Sequence, residues 1–306
     1  MNKPTLYYQF NPIFNETSYS INYVYSSINI PIPKEPDLDN KISYYSKYEE
    51  KIINEIPSLF VFLIDQSGSM KGKPIELVKK ALLLFIKSLP PGSYFQFIGF
   101  GTNFKKYNEN PVEYNQNNVD NIINIINNIK ADMRGTNMGA PLKDIYDNKI
   151  YETINLSKNI FILTDGQVHD RDEIVNLITA NSDKFRIHSL GIGLSFDRIF
   201  IERSGKLGKG SSFFVENIEK ISSSVIDALI ESLKPYILDI KIKFKNYQKN
   251  YENNIILCNP KDNFAYQDEI INFSFILNNN NKIDIDNLSE PLNIEIIGKY
   301  SNNLIK

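Results

Sequence analysis

Asp65-Gln66-Ser67-Gly68-Ser69 sets a carboxylate and two hydroxyls at every second residue. The spacing turns the three side chains toward one point, and Gly68 permits the tight turn between them. Such a set of oxygens suits a hard divalent cation. Mg2+ fits it, with Mn2+ or Ca2+ as alternatives, and Zn2+ does not. Two further stretches carry donors of the same kind. Thr136 lies in Arg134-Gly135-Thr136-Asn137, ahead of the run MGAPLKDIY, and Asp165 lies in Thr164-Asp165-Gly166, after the run KNIFIL. The candidate metal ligands are therefore Asp65, Ser67, Ser69, Thr136 and Asp165.

Other chemistries suit these residues less well. If Asp65 and the two serines only capped the start of a helix, the two distant stretches would have no role. A phosphate-binding loop needs G-x-x-x-x-G-K-[ST]. Here Gly68 and Gly72 are one residue too close, and Pro74 stands where the hydroxyl should be. An aspartyl-phosphate at Asp65 would want a second acid nearby, and position 67 is Ser. The only histidines, His169 and His188, cannot make a multi-histidine site; His169 reads as a loop residue and His188 as a satisfied core residue. Cys258, in IILC, reads as buried β core. Nothing in the chain sets up turnover, so no enzyme is expected.

Ligands of an open α/β sheet bind outside the carboxyl ends of its strands. The elements that must position the site are thus strands ending at 65 and 164. SLFVFLI and KNIFILT are short, unbroken apolar runs of the buried parallel-strand type. GKPIELVKKALLLFIKSL puts Ile75, Val78, Leu82, Phe85, Ile86 and Leu89 on one helical face, with Pro74 in the first turn. SYFQFIGF, FRIHSLGIG and SSFFVE read as further strands. NNVDNIINIINNI, MGAPLKDIYDNKI, DRDEIVNLITANS, SFDRIFIERSGKLG and IEKISSSVIDALIESL read as helices. This alternation predicts an α/β fold over residues 58–234, a doubly wound, mostly parallel sheet flanked by helices. Residues 1–57 are Tyr- and Pro-rich and read as an extended or β segment with a linker. Residues 235–306 read as a small antiparallel β-rich domain that the N-terminal strands complete.

The 34 Lys and Arg nearly balance the 36 Asp and Glu, so no global basic field draws nucleic acid or anionic lipid. One cysteine excludes an internal disulfide framework and favours a reducing compartment. No signal-peptide run opens the chain, and no apolar run is long enough to span a bilayer. The expectation is a cytoplasmic protein without membrane insertion.

Taken together, DQSGSM, RGTNMGAPL and LTDGQ resemble the metal-ion-dependent adhesion site of von Willebrand factor A domains. The three pieces occur in order, each on the matching element, and the resemblance covers roughly residues 58–234. The stretches LIDQSGSMKGKPIELVKKALLLFIKSLPPGSYFQFIGFG and ADMRGTNMGAPLKDIY resemble an intracellular subgroup of that family. It includes inter-alpha-trypsin inhibitor heavy-chain-like proteins and the vault poly(ADP-ribose) polymerase, which usually carry a VIT domain before the A domain. Residues 1–57 are fewer than such a domain needs.

The resemblance implies a metal-dependent protein-binding module in which a Mg2+ held by the five residues engages an Asp or Glu of a protein partner. By nearness in sequence, Gln66, Met70, Lys71, Arg134, Asn137 and His169 are the candidate rim of that contact. The alternative is a structural or assembly subunit of a larger complex that uses the same fold as a metal-independent scaffold.

Overall fold

The computed structural model describes residues 5–13, 21–29, 57–168, 170–234, 236–245, 255–259, 265–266, 270–278 and 293–300, with side chains for 57–168, 170–234 and 236. The chain divides into two compact units, Asn40–Lys234 and a second made of Met1–Asp39 with Pro235–Lys306.

The second unit opens with β1 (Thr5–Ile13) and β2 (Ile21–Asn29), an antiparallel pair. The larger unit holds β3 (Ser58–Asp65), β4 (Tyr94–Phe100), β5 (Phe104–Lys106), β6 (Val112–Glu113), β7 (Ser157–Thr164), β8 (Arg186–Ile192) and β9 (Ser212–Val215). Its helices are α1 (Lys73–Ser88), α2 (Gln116–Asn128), α3 (Gly139–Asp147), α4 (Arg171–Ala180), α5 (Arg198–Leu207) and α6 (Ile218–Leu233). After it, β10 (Tyr236–Lys245), β11 (Ile255–Asn259), β12 (Ala265–Tyr266), β13 (Ile270–Asn278) and β14 (Asn293–Tyr300) return to the second unit. There β1-β2-β13-β11 form one antiparallel sheet and β12-β10-β14 another. N- and C-terminal segments meet in the β2–β13 pairing, which runs from Ile21↔Asn278 to Asn29↔Ile270. Cys258 falls in β11, outside the residues with described side chains.

The larger unit's sheet runs β5-β4-β3-β7-β8-β9, with β6 also on β4. The strands β4, β3, β7, β8 and β9 are parallel, and β5 and β6 run antiparallel to β4. The unbroken apolar run of β3 is explained by burial on both faces. Phe60, Phe62 and Ile64 face one core with Val78, Leu82 and Phe85 of α1, Ile122 and Ile126 of α2, and Val225 and Leu229 of α6. Leu59, Val61 and Leu63 face the other with Leu142 of α3, Ile174 and Val175 of α4, and Phe200 of α5. Strand alternation alone divides these side chains between two helix layers. Phe62 lies 4.7 Å from Phe97 and 5.4 Å from both Phe85 and Phe161, centroid to centroid. Burial of each such ring contributes about 1.5–3 kcal/mol. Asn115, Asp197 and Asn217 cap α2, α5 and α6 by accepting from the third backbone N–H beyond each. Each cap is worth about 1 kcal/mol.

Three local features differ from the linear reading. The run MGAPLKDIYDNKI is not one helix: α3 stops at Asn148, whose side chain accepts from the Ile150 N–H at 3.0 Å and starts a separate 3-10 turn, Lys149–Thr153. The antiparallel additions β5 and β6 went unforeseen because three- and two-residue strands carry no period. They are organised by Asn108, whose side chain accepts from the Phe97 N–H and donates to the Phe95 carbonyl. His188 is fully buried and stacks on Phe161 at 5.0 Å, but both of its ring nitrogens lack a hydrogen-bond partner among the described residues. It is thus a core residue, though not a satisfied one. Burial, reinforced by the Arg186 charge, holds its pKa well below the usual histidine value.

Candidate metal centre

The register of β3 and β7 pairs Ile64 with Leu163, so both strands end on one edge with Asp65 next to Thr164. The helix joining β3 to β4 lies on one face of the sheet and the helix joining β7 to β8 on the other. The gap between β3 and β7 is therefore the topological switch point, where open α/β sheets leave a crevice. Within it the Thr164 hydroxyl donates to Asp65 Oδ2 at 2.5 Å and accepts from the Gly166 N–H at 2.9 Å. Asp65 Oδ1 accepts from the Ser67 N–H at 2.8 Å, which folds the turn back over the strand end. That turn brings the Ser67 and Ser69 hydroxyls to 3.0 Å from each other. Asp165 Oδ1 accepts from the Gln167 N–H at 3.1 Å.

Thr136 reaches this edge through backbone stitching. The Gly68 N–H donates to the Arg134 carbonyl at 2.7 Å and the Met133 N–H to the Gln66 carbonyl at 3.0 Å, tying the Thr136 loop to the Asp65–Ser69 turn. The Asn137 N–H donates to the Gly101 carbonyl at 2.7 Å, and the Gly135 N–H to the Thr102 hydroxyl at 3.0 Å. Gly101 must be glycine, since a Cβ there would stand 2.3 Å from Met133 Cβ and 2.4 Å from its carbonyl oxygen. Arg134 adopts φ 67°, a left-handed conformation that costs a side-chain-bearing residue about 1–2 kcal/mol. The Thr136 hydroxyl is half-buried and has no hydrogen-bond partner among the described residues.

The rim reads differently from the sequence expectation. Gln66 is buried, its Oε1 accepting from the Tyr107 hydroxyl at 3.0 Å in space that Gly99 leaves open. Met70 is wholly buried in the core shared with α1. Neither is a rim residue, because the turn that brings the two serine hydroxyls together turns these side chains inward. Lys71, Arg134 and Asn137 are exposed. Asn137 is engaged in part, its side chain accepting from the Ala140 N–H at 3.2 Å. His169 lies outside the described residues. Two supporting residues had no signal strong enough to be singled out. Thr164 holds Asp65, and Asp197 donates its N–H to the Asp165 carbonyl at 2.8 Å while its side chain pairs with Arg171 at 2.8 Å. Thr164 could have been suspected from its place at the end of KNIFILT; Asp197 is joined to Asp165 only by the fold.

The electrostatics leave a positive charge wanting. Asp65 is fully buried and Asp165 is 5% exposed, and neither makes an ion pair with a basic side chain among the described residues. Burial, partly offset by the hydrogen bonds from Ser67 and Thr164 and reinforced by the Asp165 charge, pushes the Asp65 carboxyl up from 3.8 to about 6. Buried carboxylates are ordinarily paired or bound to metal. Two carboxylates, two converged hydroxyls and the free Thr136 hydroxyl make a donor set of oxygens alone, which fits Mg2+, Mn2+ or Ca2+. Among the described residues no group of three or more His, Cys, Asp or Glu gathers where it could hold a metal ion.

Comparison with known proteins agrees with this architecture. A family model for the von Willebrand factor type A domain matches residues 59–214, about half of the chain. The chain is 33% identical to a von Willebrand factor A domain-containing protein of Dictyostelium discoideum over 185 residues, 60% of this chain and 22% of that protein. It is 29% identical to the rat von Willebrand factor A domain-containing protein 5A over 213 residues, 67% of this chain and 26% of that protein. The mouse protein 5B1 is 30% identical over 60% of this chain and 15% of its own length. The chain thus spans about a quarter or less of these relatives. Among solved structures, a von Willebrand factor type A protein from Catenulispora acidiphila shares the fold at TM-score 0.58 and 14% identity, over 90% of this chain and 65% of that one. The paralog VWA2 of ArnB from Sulfolobus acidocaldarius does so at TM-score 0.54 and 12% identity, over 97% and 70%. With its switch-point crevice and matching sequence, the chain belongs to the von Willebrand factor type A domain family.

Proposed function

We propose that this domain is a cation-dependent protein-binding module in which Asp65, Ser67, Ser69, Thr136 and Asp165 hold one divalent cation, Mg2+ in the first instance. The observation that carries the reading is a pair of buried carboxylates, Asp65 and Asp165, beside two converged hydroxyls, with no basic side chain among the described residues to balance them. A cation bound there supplies positive charge and an exchangeable position for one carboxylate oxygen of a partner. The chain's own part is positional. Thr164 and the Ser67 N–H hold both oxygens of Asp65, the serine turn presents its hydroxyls, and the Gly68–Arg134 hydrogen bond brings the Thr136 loop alongside. We assign the domain no reaction of its own: Asp65 and the neighbouring Asp165 serve to hold the cation.

An exposed ion contact contributes only about 0–1 kcal/mol, so specificity must come from the surrounding surface. The test is titration of the metal-stripped chain with Mg2+ by calorimetry, followed by binding of an immobilised Asp-containing peptide. Binding that EDTA and Asp165→Ala both abolish supports the reading. Partner binding that survives both would favour the metal-independent scaffold instead.

A further inference from the structure

Among the described residues five large apolar side chains stay exposed: Leu194, Ile199, Leu207, Ile218 and Ile226. Scattered singly they would need no explanation. The two most exposed instead flank Asp197, on the edge that carries the candidate metal centre: Leu194, at 84%, in the connection from β8 to α5, and Ile199, at 68%, in the first turn of α5. This connection is tied down at several points. The Asp197 N–H donates to the Asp165 carbonyl at 2.8 Å, Gln167 Nε2 to the Ser195 carbonyl at 3.5 Å, and the Gly193 N–H to the Val215 carbonyl at 2.9 Å. Phe196 stacks on Phe214 at 4.9 Å, and the Arg198 guanidinium lies 4.2 Å from the same ring. Leu194 is thus held in water by a braced loop hydrogen-bonded to a candidate metal ligand, and Ile199 by the helix turn that this loop leads into.

The surrounding charge says what could cover them. A Cβ on Gly193 would lie 3.5 Å from Pro74 Cγ, so the loop neighbours the turn that carries Lys71 and Lys73. Both lysines and Arg134 are exposed and form no ion pair among the described residues. On the other face of the sheet the first turn of α4 carries Glu173, a like charge that an acidic chain would avoid, while Asp172 there is paired with Arg203 at 2.8 Å. We infer that the partner of the metal centre is an acidic peptide segment with a bulky aliphatic or aromatic residue next to its Asp or Glu. The apolar side chain covers Leu194 and Ile199, and the acidic flank runs along Lys71 and Lys73. The inference rests on the cation-binding reading above. Covering a side chain of leucine size is worth at least about ten-fold in affinity.

The test uses the full chain in Mg2+ and three fluorescent peptides followed by anisotropy: Gly-Ser-Asp-Leu-Phe-Ser-Gly, the same with Leu-Phe replaced by Ser-Ser, and the same with Asp replaced by Asn. The first should bind at least about ten-fold more tightly than the second. The double variant Leu194→Ser, Ile199→Ser should abolish that gap while leaving the second peptide's affinity unchanged, its fold being checked by circular dichroism. EDTA should release both acidic peptides. Equal binding of the first two, or a gap that survives the double variant, overturns the apolar contact and leaves the cation reading standing if EDTA still acts. If the Asn peptide matches the first and EDTA has no effect, the cation reading fails and the linked inference falls with it. Absence of any peptide binding by a chain that takes up Mg2+ also overturns the inference.

Discussion

The Thr164 hydroxyl donates to Asp65 Oδ2 at 2.5 Å across two neighbouring parallel strands, so the last residue of one strand aims the carboxylate that ends the other. With the Ser67 N–H on Oδ1, both oxygens of this buried acid have a donor. Asp65 is thereby held in one orientation before any ligand arrives.

Thr164→Val keeps the shape of the side chain and removes the hydroxyl, leaving Oδ2 without its donor and the Gly166 N–H without its acceptor. Loss of such a supporting contact lowers metal affinity by about 10- to 100-fold. Calorimetric titration with Mg2+ should read that loss, with circular dichroism unchanged.

The raised Asp65 carboxyl makes the metal-free domain less stable as pH rises. Its folded value, about 6, exceeds 3.8, so between those pH values the folded state binds more protons than the unfolded one, and stability falls. The full effect by pH 7 is roughly 3 kcal/mol. Urea unfolding in EDTA from pH 4 to 7 should show this loss in the native chain relative to Asp65→Asn. Saturating Mg2+ should remove it from the native chain alone.

Arg134 stands at φ 67° because its carbonyl is committed to the Gly68 N–H. Arg134→Gly relieves the left-handed strain, offset by glycine's larger unfolded-state entropy, for a net gain of up to about 1 kcal/mol. Arg134→Ala keeps the strain and should gain nothing. Thermal unfolding of the two variants side by side decides the matter.

His188 is buried with two unpartnered ring nitrogens, and its folded pKa lies below the usual 6.5. The unfolded state therefore binds the extra proton first, and stability is lost as pH falls below 6.5. His188→Leu removes both the buried polar atoms and this acid sensitivity. It should unfold at a urea concentration corresponding to about 1–3 kcal/mol greater stability, with a flatter profile between pH 5 and 6.5.

Much of this molecule was legible in the chain. Unbroken apolar runs placed β3 and β7 and period-3.6 patterns the helices, because burial on both faces writes a continuous run and burial on one writes a stripe. The strand end at Asp65 marked the candidate site, because parallel strands deliver their carboxyl ends to one edge. Tertiary structure alone decided the rest. Gln66 and Met70 share a turn with Ser67 and Ser69 yet face the interior, since Gly99 leaves room for one and α1 encloses the other. Thr164 became the holder of Asp65 through strand register, and the loop that carries Leu194 was tied to Asp165 through the hydrogen bond from the Asp197 N–H. Local pattern records which way a residue is buried. It carries no record of which distant backbone group will stand opposite it, because hydrogen bonds between remote segments place no demand on side-chain type.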